Sequence, residues 1–289
     1  MAIANFVPEI WSAALLEALR SRLTFAQDGL VNRDYEGDIA RAGDTVHVVN
    51  FDDPTVSAYT KNGDIDWENL TDSDQTLVVN QSDYFAFSVD DIDRRQALAG
   101  FVESATRGAG YQLAKTTDTY ISGLMKANVA AANKVTGVNV DPASPNQAYD
   151  TLVNMRTKLT RSDVPEDGRW VVVPPEFYAV LLHDDRFTRV DASGTSDGLR
   201  NGMVGRAAGF DIIESNRVPQ TGTTTITYTV IAGHAMATTY AEQIAETEAI
   251  RLPNTFADGV RGLHLYGAKV LRPTCLATTD LTISTPDEG

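Results

Sequence analysis

The residues able to do chemistry are scattered along this chain. Gly194-Thr195-Ser196-Asp197-Gly198 matches G-x-S-x-G, the turn that raises a nucleophilic serine between a strand and a helix. Here it sits inside the polar stretch Asp191 to Gly202 and has neither neighbour, so a hydrolase using Ser196 is the weakest functional reading. The four histidines, His47, His183, His234 and His264, lack the HExxH spacing of a zinc site. His183-Asp184-Asp185 has donor types suited to a hydrated divalent ion, yet it reads more simply as a solvated helix end. Neither a Walker A motif nor a dinucleotide fingerprint occurs. With 39 acids against 24 Lys and Arg, closeness of two carboxylates in sequence carries little weight for acid–base catalysis. The single cysteine, Cys275, can form neither an internal disulfide nor a thiolate cluster, and its apolar surroundings predict a buried, inert thiol. No catalytic, cofactor-binding or metal-ligating residue is assigned, and the chain reads as a non-enzyme.

With 289 residues the chain can bury a full core, in one large domain or two. Its 43% hydrophobic and 22% charged content is ordinary for a soluble globular protein. No run has the length of a transmembrane helix, and the N-terminus lacks the basic flank and apolar core of a signal peptide, which fits the cytoplasm. The net charge of −15 argues against a broad basic nucleic-acid face. It is compatible with a protein that encloses nucleic acid behind an acidic wall, and equally with acidity that only serves solubility.

What would position these groups is a long helix. Ser88-Val89-Asp90-Asp91 has the S-x-x-D pattern of a helix start. Apolar or small residues then recur at helical spacing at Leu98, Phe101, Val102, Ala105, Ala109, Leu113, Tyr120, Ile121, Leu124 and Val129, with no proline between. A helix over Ser88 to Val129 would be roughly 55 Å long. A compact globule of this size has a radius of gyration of about 19 Å. The spacing therefore predicts a flat or elongated molecule. Gly108 and Gly110 either break this helix in two or let a single rod bend.

Pro8 suits a first helical turn, with Trp11 and Leu15 on one apolar face. Asp44 to Phe51, Gln75 to Val79 and Tyr84 to Val89 read as strands. Between the first two lies Asp52 to Asp74, with seven acids and the aromatics Tyr59 and Trp67. So long a connection is usually functional or disordered. It reads either as a protruding finger or as a surface loop. Asn133 to Gln147 marks a boundary. A helix from Pro145 to about Leu159, a buried strand Trp170 to Val173, a helix Glu176 to Leu182, and strands at Phe210 to Glu214 and Thr223 to Ala232 then make an α/β lobe. Glu242 to Leu252 reads as a mixed acidic segment, Gly259 to Arg272 as a strand returning to the sheet near the long helix, and Leu276 to Ile283 as an edge.

The order of these parts, closing with Phe256-Ala257-Asp258-Gly259-Val260-Arg261-Gly262 and the Tyr266-Gly267 to Pro273 phrase, resembles the major capsid proteins of tailed bacteriophages. The resemblance is to the HK ninety-seven-type fold and, within it, to the coat-protein group. It implies an α+β chain divided into an N-terminal arm (1–43), an extended β-loop with flanking strands (44–89), a peripheral domain with the spine helix (88–145 and 240–283), an α/β axial domain (146–239) and a tail (284–289). It also implies hexamers and pentamers forming an icosahedral shell around double-stranded DNA, a precursor shell that expands, and assembly in the host cytoplasm into the virion capsid. The partners implied are the chain itself, a portal, possible decoration proteins and a scaffolding protein, with no membrane. The scaffold is expected to be separate, because no long segment precedes the arm. An encapsulin-like nanocompartment, with the same fold around an enzyme, is the alternative.

As subunit contacts we expect Trp11, Leu15, Tyr59 and Trp67 as apolar anchors, since buried aromatics carry much of an interface's energy. Asp53, Asp64 and Glu68 would meet basic residues of a neighbour. Some relatives form a lysine–asparagine cross-link between subunits, and Lys61 stands where a donor would, although a solvated lysine is the simpler reading.

Overall fold

A computed structural model of the chain describes residues 19, 23–34, 45–51, 58, 61, 72–90, 101–184, 186, 205–223, 225–253 and 255–284. Strands Thr45–Phe51 (β1) and Asp72–Val78 (β2) pair antiparallel, Thr45 opposite Val78 and Phe51 opposite Asp72, in a two-stranded ribbon of their own. This is the strand–long connection–strand pattern expected from the sequence. Most of the connection, 52–71, lies outside the described residues.

Strand Gln81–Asp90 (β3) follows immediately and forms one edge of a three-stranded antiparallel sheet. The helix start expected at Ser88 is therefore displaced. Ser88 pairs with Gly259, and the next described element, helix Phe101–Asn128 (α1), begins thirteen residues later. The alternation of Phe85, Phe87 and Val89 prevails over the capping signature because an edge is available to pair every residue from Gln81 to Asp90. Helix α1 has 28 residues and is about 42 Å long, shorter than the expected rod. It runs without interruption through Gly108 and Gly110.

Residues 134–140, expected to be a boundary, form strand Lys134–Val140 (β4). Helix Asn146–Arg161 (α2) buries Leu152, Met155 and Leu159. Strand Arg169–Val173 (β5) is buried at all five positions, as a run of Trp-Val-Val-Val demands, and helix Pro175–Leu182 (α3) follows with proline in its first turn. Short strands Arg206–Ala207 (β6), Phe210–Glu214 (β7) and Gln220–Thr221 (β8) precede Thr227–His234 (β9). Because β5 and β7 run parallel, they need a crossover, and α3 lies within it.

Two long strands close the chain. Thr238–Arg251 (β10), expected as a mixed acidic segment, and Ala257–Val270 (β11) form an antiparallel hairpin, and β11 also pairs with β3. Strand Leu276–Ile283 (β12) is not an edge. It lies between β4, parallel to it, and β9, antiparallel to it, in a seven-stranded sheet ordered β4-β12-β9-β5-β7-β6 with β8 on β9. Thus β4 and β12, expected beside the spine helix, pair into the sheet of the α/β lobe. Thr278 and Thr279 are buried there, so polar composition concealed an interior strand. One contiguous apolar core joins α2, α3 and this sheet to Leu113, Ile121 and Met125 of α1.

Candidate functional site: the hairpin root and the buried ionic seam

Along β11 successive side chains point to opposite faces. His264 and Tyr266 point toward α1, where the rings of Tyr120 and Tyr266 meet edge-on with centroids 5.6 Å apart. Leu265 points the other way and joins Leu77, Val79 and Ala241 in a small apolar cluster. Gly267 shares that second face, and its lack of a side chain is required. A Cβ there would lie 2.5 Å from the carbonyl oxygen of Val78 and 2.9 Å from Cα of Val79. The chain passing from β2 to β3 thus rests directly on β11. Lys269 Nζ donates to the carbonyl of Thr76 at 3.0 Å, and Gln75 Nε2 donates to that of Leu271 at 3.4 Å. These contacts fix the root of the β1–β2 ribbon, and they give the Tyr266-Gly267 phrase its physical reason.

On the α1 side a buried ionic seam joins four parts of the chain. Arg33, in the segment 23–34, pairs with Glu242 of β10, and the hydroxyl of Tyr240 donates to the same carboxylate at 2.7 Å. His264 Nε2 lies 3.4 Å from Glu242, and its ring stacks on Tyr266 at 5.0 Å. Tyr266 in turn donates to Asp83 Oδ2 of β3 at 2.8 Å. Burial, the largest influence, raises the Glu242 pKa, but the His264 ring, the Arg33 charge and the Tyr240 hydroxyl together hold it at about 2. Burial is also the first cause lifting the Tyr266 phenol above its ordinary range, with its bond to Asp83 acting in the same sense.

A second buried carboxylate seats the same segment on the spine helix. Asp118 of α1 accepts the backbone N–H groups of Thr24 and Phe25 at 2.9 Å each, and of Ala26 at 3.3 Å. It also pairs with Arg217, whose guanidinium lies 5.3 Å from the ring centroid of Tyr111. Burial raises the Asp118 pKa against the opposing pull of these donors. Backbone bonds complete the seat: Asn32 N–H to the carbonyl of Thr238, and Tyr240 N–H to that of Asn32, both at 2.9 Å.

Among the expected site residues, Lys61 is exposed in a turn. Trp11, Leu15, Asp53, Tyr59, Asp64, Trp67 and Glu68 lie outside the described residues, as does the Ser196 motif. Gly108 is exposed on α1 and Gly110 is buried. His183 ends α3, the Nδ1 of His234 accepts the N–H of Met236 at 3.2 Å, and His264 lies in the seam, so these three are not brought together. Among the described residues no group of three or more His, Cys, Asp or Glu could hold a metal, and no helix is long and apolar enough to cross a membrane. Sequence reasoning missed Asp118 and Glu242, because one acid among 39 carries no local signal.

The polar groups assembled here are joints between elements, and they define a structural subunit. A model of the phage capsid protein family matches residues 74–279, and the chain belongs to that family. A chain of Mycobacterium phage Che8 is 31% identical, over 96% of this chain and 98% of that one, with a TM-score of 0.71. A chain in the capsid structure of the cyanophage P-SCSP1u shares 14% identity over 89% and 86% of the two chains, with a TM-score of 0.68. A chain of the holo-SrpI encapsulin complex of Synechococcus elongatus shares the fold at 11% identity, covering 84% and 83%, with a TM-score of 0.52. No curated protein matches. The chain is a major capsid protein with a structural role, and its copies form the icosahedral shell of the virion.

Proposed function

We propose that the subunits associate as hexamers and pentamers into a shell that encloses double-stranded DNA, and that each subunit reaches across its neighbour through the connection between β1 and β2. The observation that carries this is the ribbon itself. It pairs with no other described strand, yet a two-stranded hairpin alone is only marginally stable in water. A ribbon fixed at its root is best completed by a second subunit. Trp67 and Tyr59 would anchor it there with Trp11 and Leu15 of the arm, and Asp53, Asp64, Glu68 and Lys61 would form its polar contacts.

In this reading 1–43 is the arm, 44–89 the extended loop, α1 and the β3–β11–β10 sheet the peripheral domain, and the α/β lobe the axial domain. Assembly proceeds in the host cytoplasm with a separate scaffold, a portal and any decoration protein. The greater likeness to the Che8 chain than to the encapsulin chain supports the virus over the nanocompartment. The test is the double substitution Trp67→Ala and Tyr59→Ala, read by negative-stain microscopy and heat resistance of the particles. We expect few closed shells, or shells that open at lower temperature. Shells indistinguishable from wild type would remove the ribbon from this account.

A further inference from the structure

Among the described elements, the chain passes between the three-stranded and the seven-stranded sheet three times: after α1, between β9 and β10, and between β11 and β12. Each passage contains a single 3-10 turn, at Ala131–Asn133, Ala235–Ala237 and Pro273–Cys275. The three passages are bonded to one another. Ala130 N–H donates to the carbonyl of Pro273 at 3.1 Å, and the N–H groups of Leu271 and Arg272 both donate to that of Ala237, at 2.8 and 3.1 Å. Asn133 is 3% exposed, and its Nδ2 donates to the carbonyls of Thr274 at 2.8 Å and Leu276 at 3.0 Å. Its Oδ1 accepts from the hydroxyl of Ser162, at the end of α2, at 3.4 Å. A side-chain amide suits this place because it offers two donors beside an acceptor. The end of β9 packs closely here too: a Cβ added at Gly233 would lie 3.1 Å from the Cys275 carbonyl oxygen.

We infer that this triple crossing locks the two sheets at one angle, and that Asn133 is the positioning residue of the lock. The middle passage, 271–275, is held from both sides, by Ala130 and Asn133 on one and by Ala237 on the other. Rotating one sheet against the other must break bonds on both sides of it, and buried polar groups left without partners are costly. A single connecting strand could swivel; three strands bonded side by side resist it. The inference rests on the proposed function in one respect, that the parts around both sheets touch neighbouring subunits. A closed shell of identical copies then needs a narrow spread of this angle, which the lock supplies.

Backbone hydrogen exchange of the unassembled wild-type subunit tests the lock. We expect the amides of Ala130, Leu271 and Arg272 to be as protected as those of Val171 and Val172 in β5, and exchange at the rate of exposed amides would overturn the rigid joint. In Asn133→Ala all three amides should exchange at least about tenfold faster, while Val171 and Val172 keep their protection. Leu271 and Arg272 bond to Ala237 and not to Asn133, so a change confined to Ala130, or none, would overturn the positioning role. Assembled particles give a second readout. By cryo-microscopy, Asn133→Ala should give shells with a wider spread of diameters than wild type. Val180→Ala, a truncation in the buried face of α3, should lower stability and keep the wild-type diameter. Equal spreads for the two variants would overturn the link between the lock and shell size. If the wild type forms no closed shell, the proposed function falls, and the exchange result still decides the lock.

Discussion

Asp118, on the spine helix, holds the backbone of Phe25 at 2.9 Å across 93 residues of sequence. The same carboxylate binds Thr24, Ala26 and Arg217, so one side chain fastens the segment entering the core to the helix that crosses the subunit. Together with the Arg33–Glu242 pair, it fastens residues 23–34, the base of the proposed arm, to the body of the subunit.

Replacing Asp118 by alanine should therefore be severe. It strands a buried guanidinium and three N–H donors, and breaking a buried pair from one side typically costs about 3–5 kcal/mol. Urea unfolding of the unassembled subunit measures this. A loss below roughly 1 kcal/mol, the range of exposed ion pairs, would show that the seat is not a stabilising contact.

Gly267→Ala should displace the ribbon root. The added methyl meets backbone atoms of Val78 and Val79, which cannot rotate away as a side chain could. Overpacking of this kind costs about 1–3 kcal/mol, and the redirected ribbon should lower the yield of closed shells further. Normal assembly and thermal stability in this variant would contradict the close approach.

Gly108→Ala should act in the opposite direction on stability. Nothing lies within 4 Å of the position its Cβ would take, and alanine is favoured over glycine in a helix interior by about 1 kcal/mol. We expect a more stable subunit. If α1 bends at this point when the shell expands, these shells will also expand more slowly, which time-resolved scattering would register.

Acid should weaken the subunit through Glu242. Its folded pKa, about 2, lies below the ordinary 4.5, so its contribution is present above 4.5 and is lost as the pH falls toward 2. Asp118 does not add to this acid sensitivity, because burial raises its folded pKa against the pull of Arg217 and the backbone donors. Wild type should lose more stability between pH 5 and 2 than Glu242→Gln, and equal slopes would exclude Glu242 as the group responsible.

Cys275 should resist thiol reagents in the native subunit and react on unfolding. It is 6% exposed, and burial pushes its pKa upward, so both access and thiolate are scarce. A rapid reaction of the native protein with a disulfide reagent would count against this.

The sequence disclosed those elements whose signals are local. The β-branched run Thr45 to Val49, the Trp170 to Val173 strand and the apolar spacing from Leu113 to Leu124 each name their own secondary structure. Strands β4, β10 and β12 escaped it because pairing partners far away in the chain define them. Gly137 and Asn139 weaken β4, acids interrupt β10, and threonines hide the burial of β12. Ser88 misled for a related reason, since a capping pattern in sequence does not reveal that a neighbouring strand offers an unpaired edge. The buried seam was illegible because its members, from Arg33 to His264, meet only in the folded chain.

The place of β12 carries a consequence for how the subunit is made. Among the described residues, strand β4 joins the large sheet only through β12, and β9 has one side open until β12 arrives. A nascent chain stopped near Cys275 would hold the spine helix and both faces of the smaller sheet, yet could not close the larger one. A chain lacking β12 would leave β4 detached and β9 unpaired along one side, so the loss of this one strand divides the large sheet.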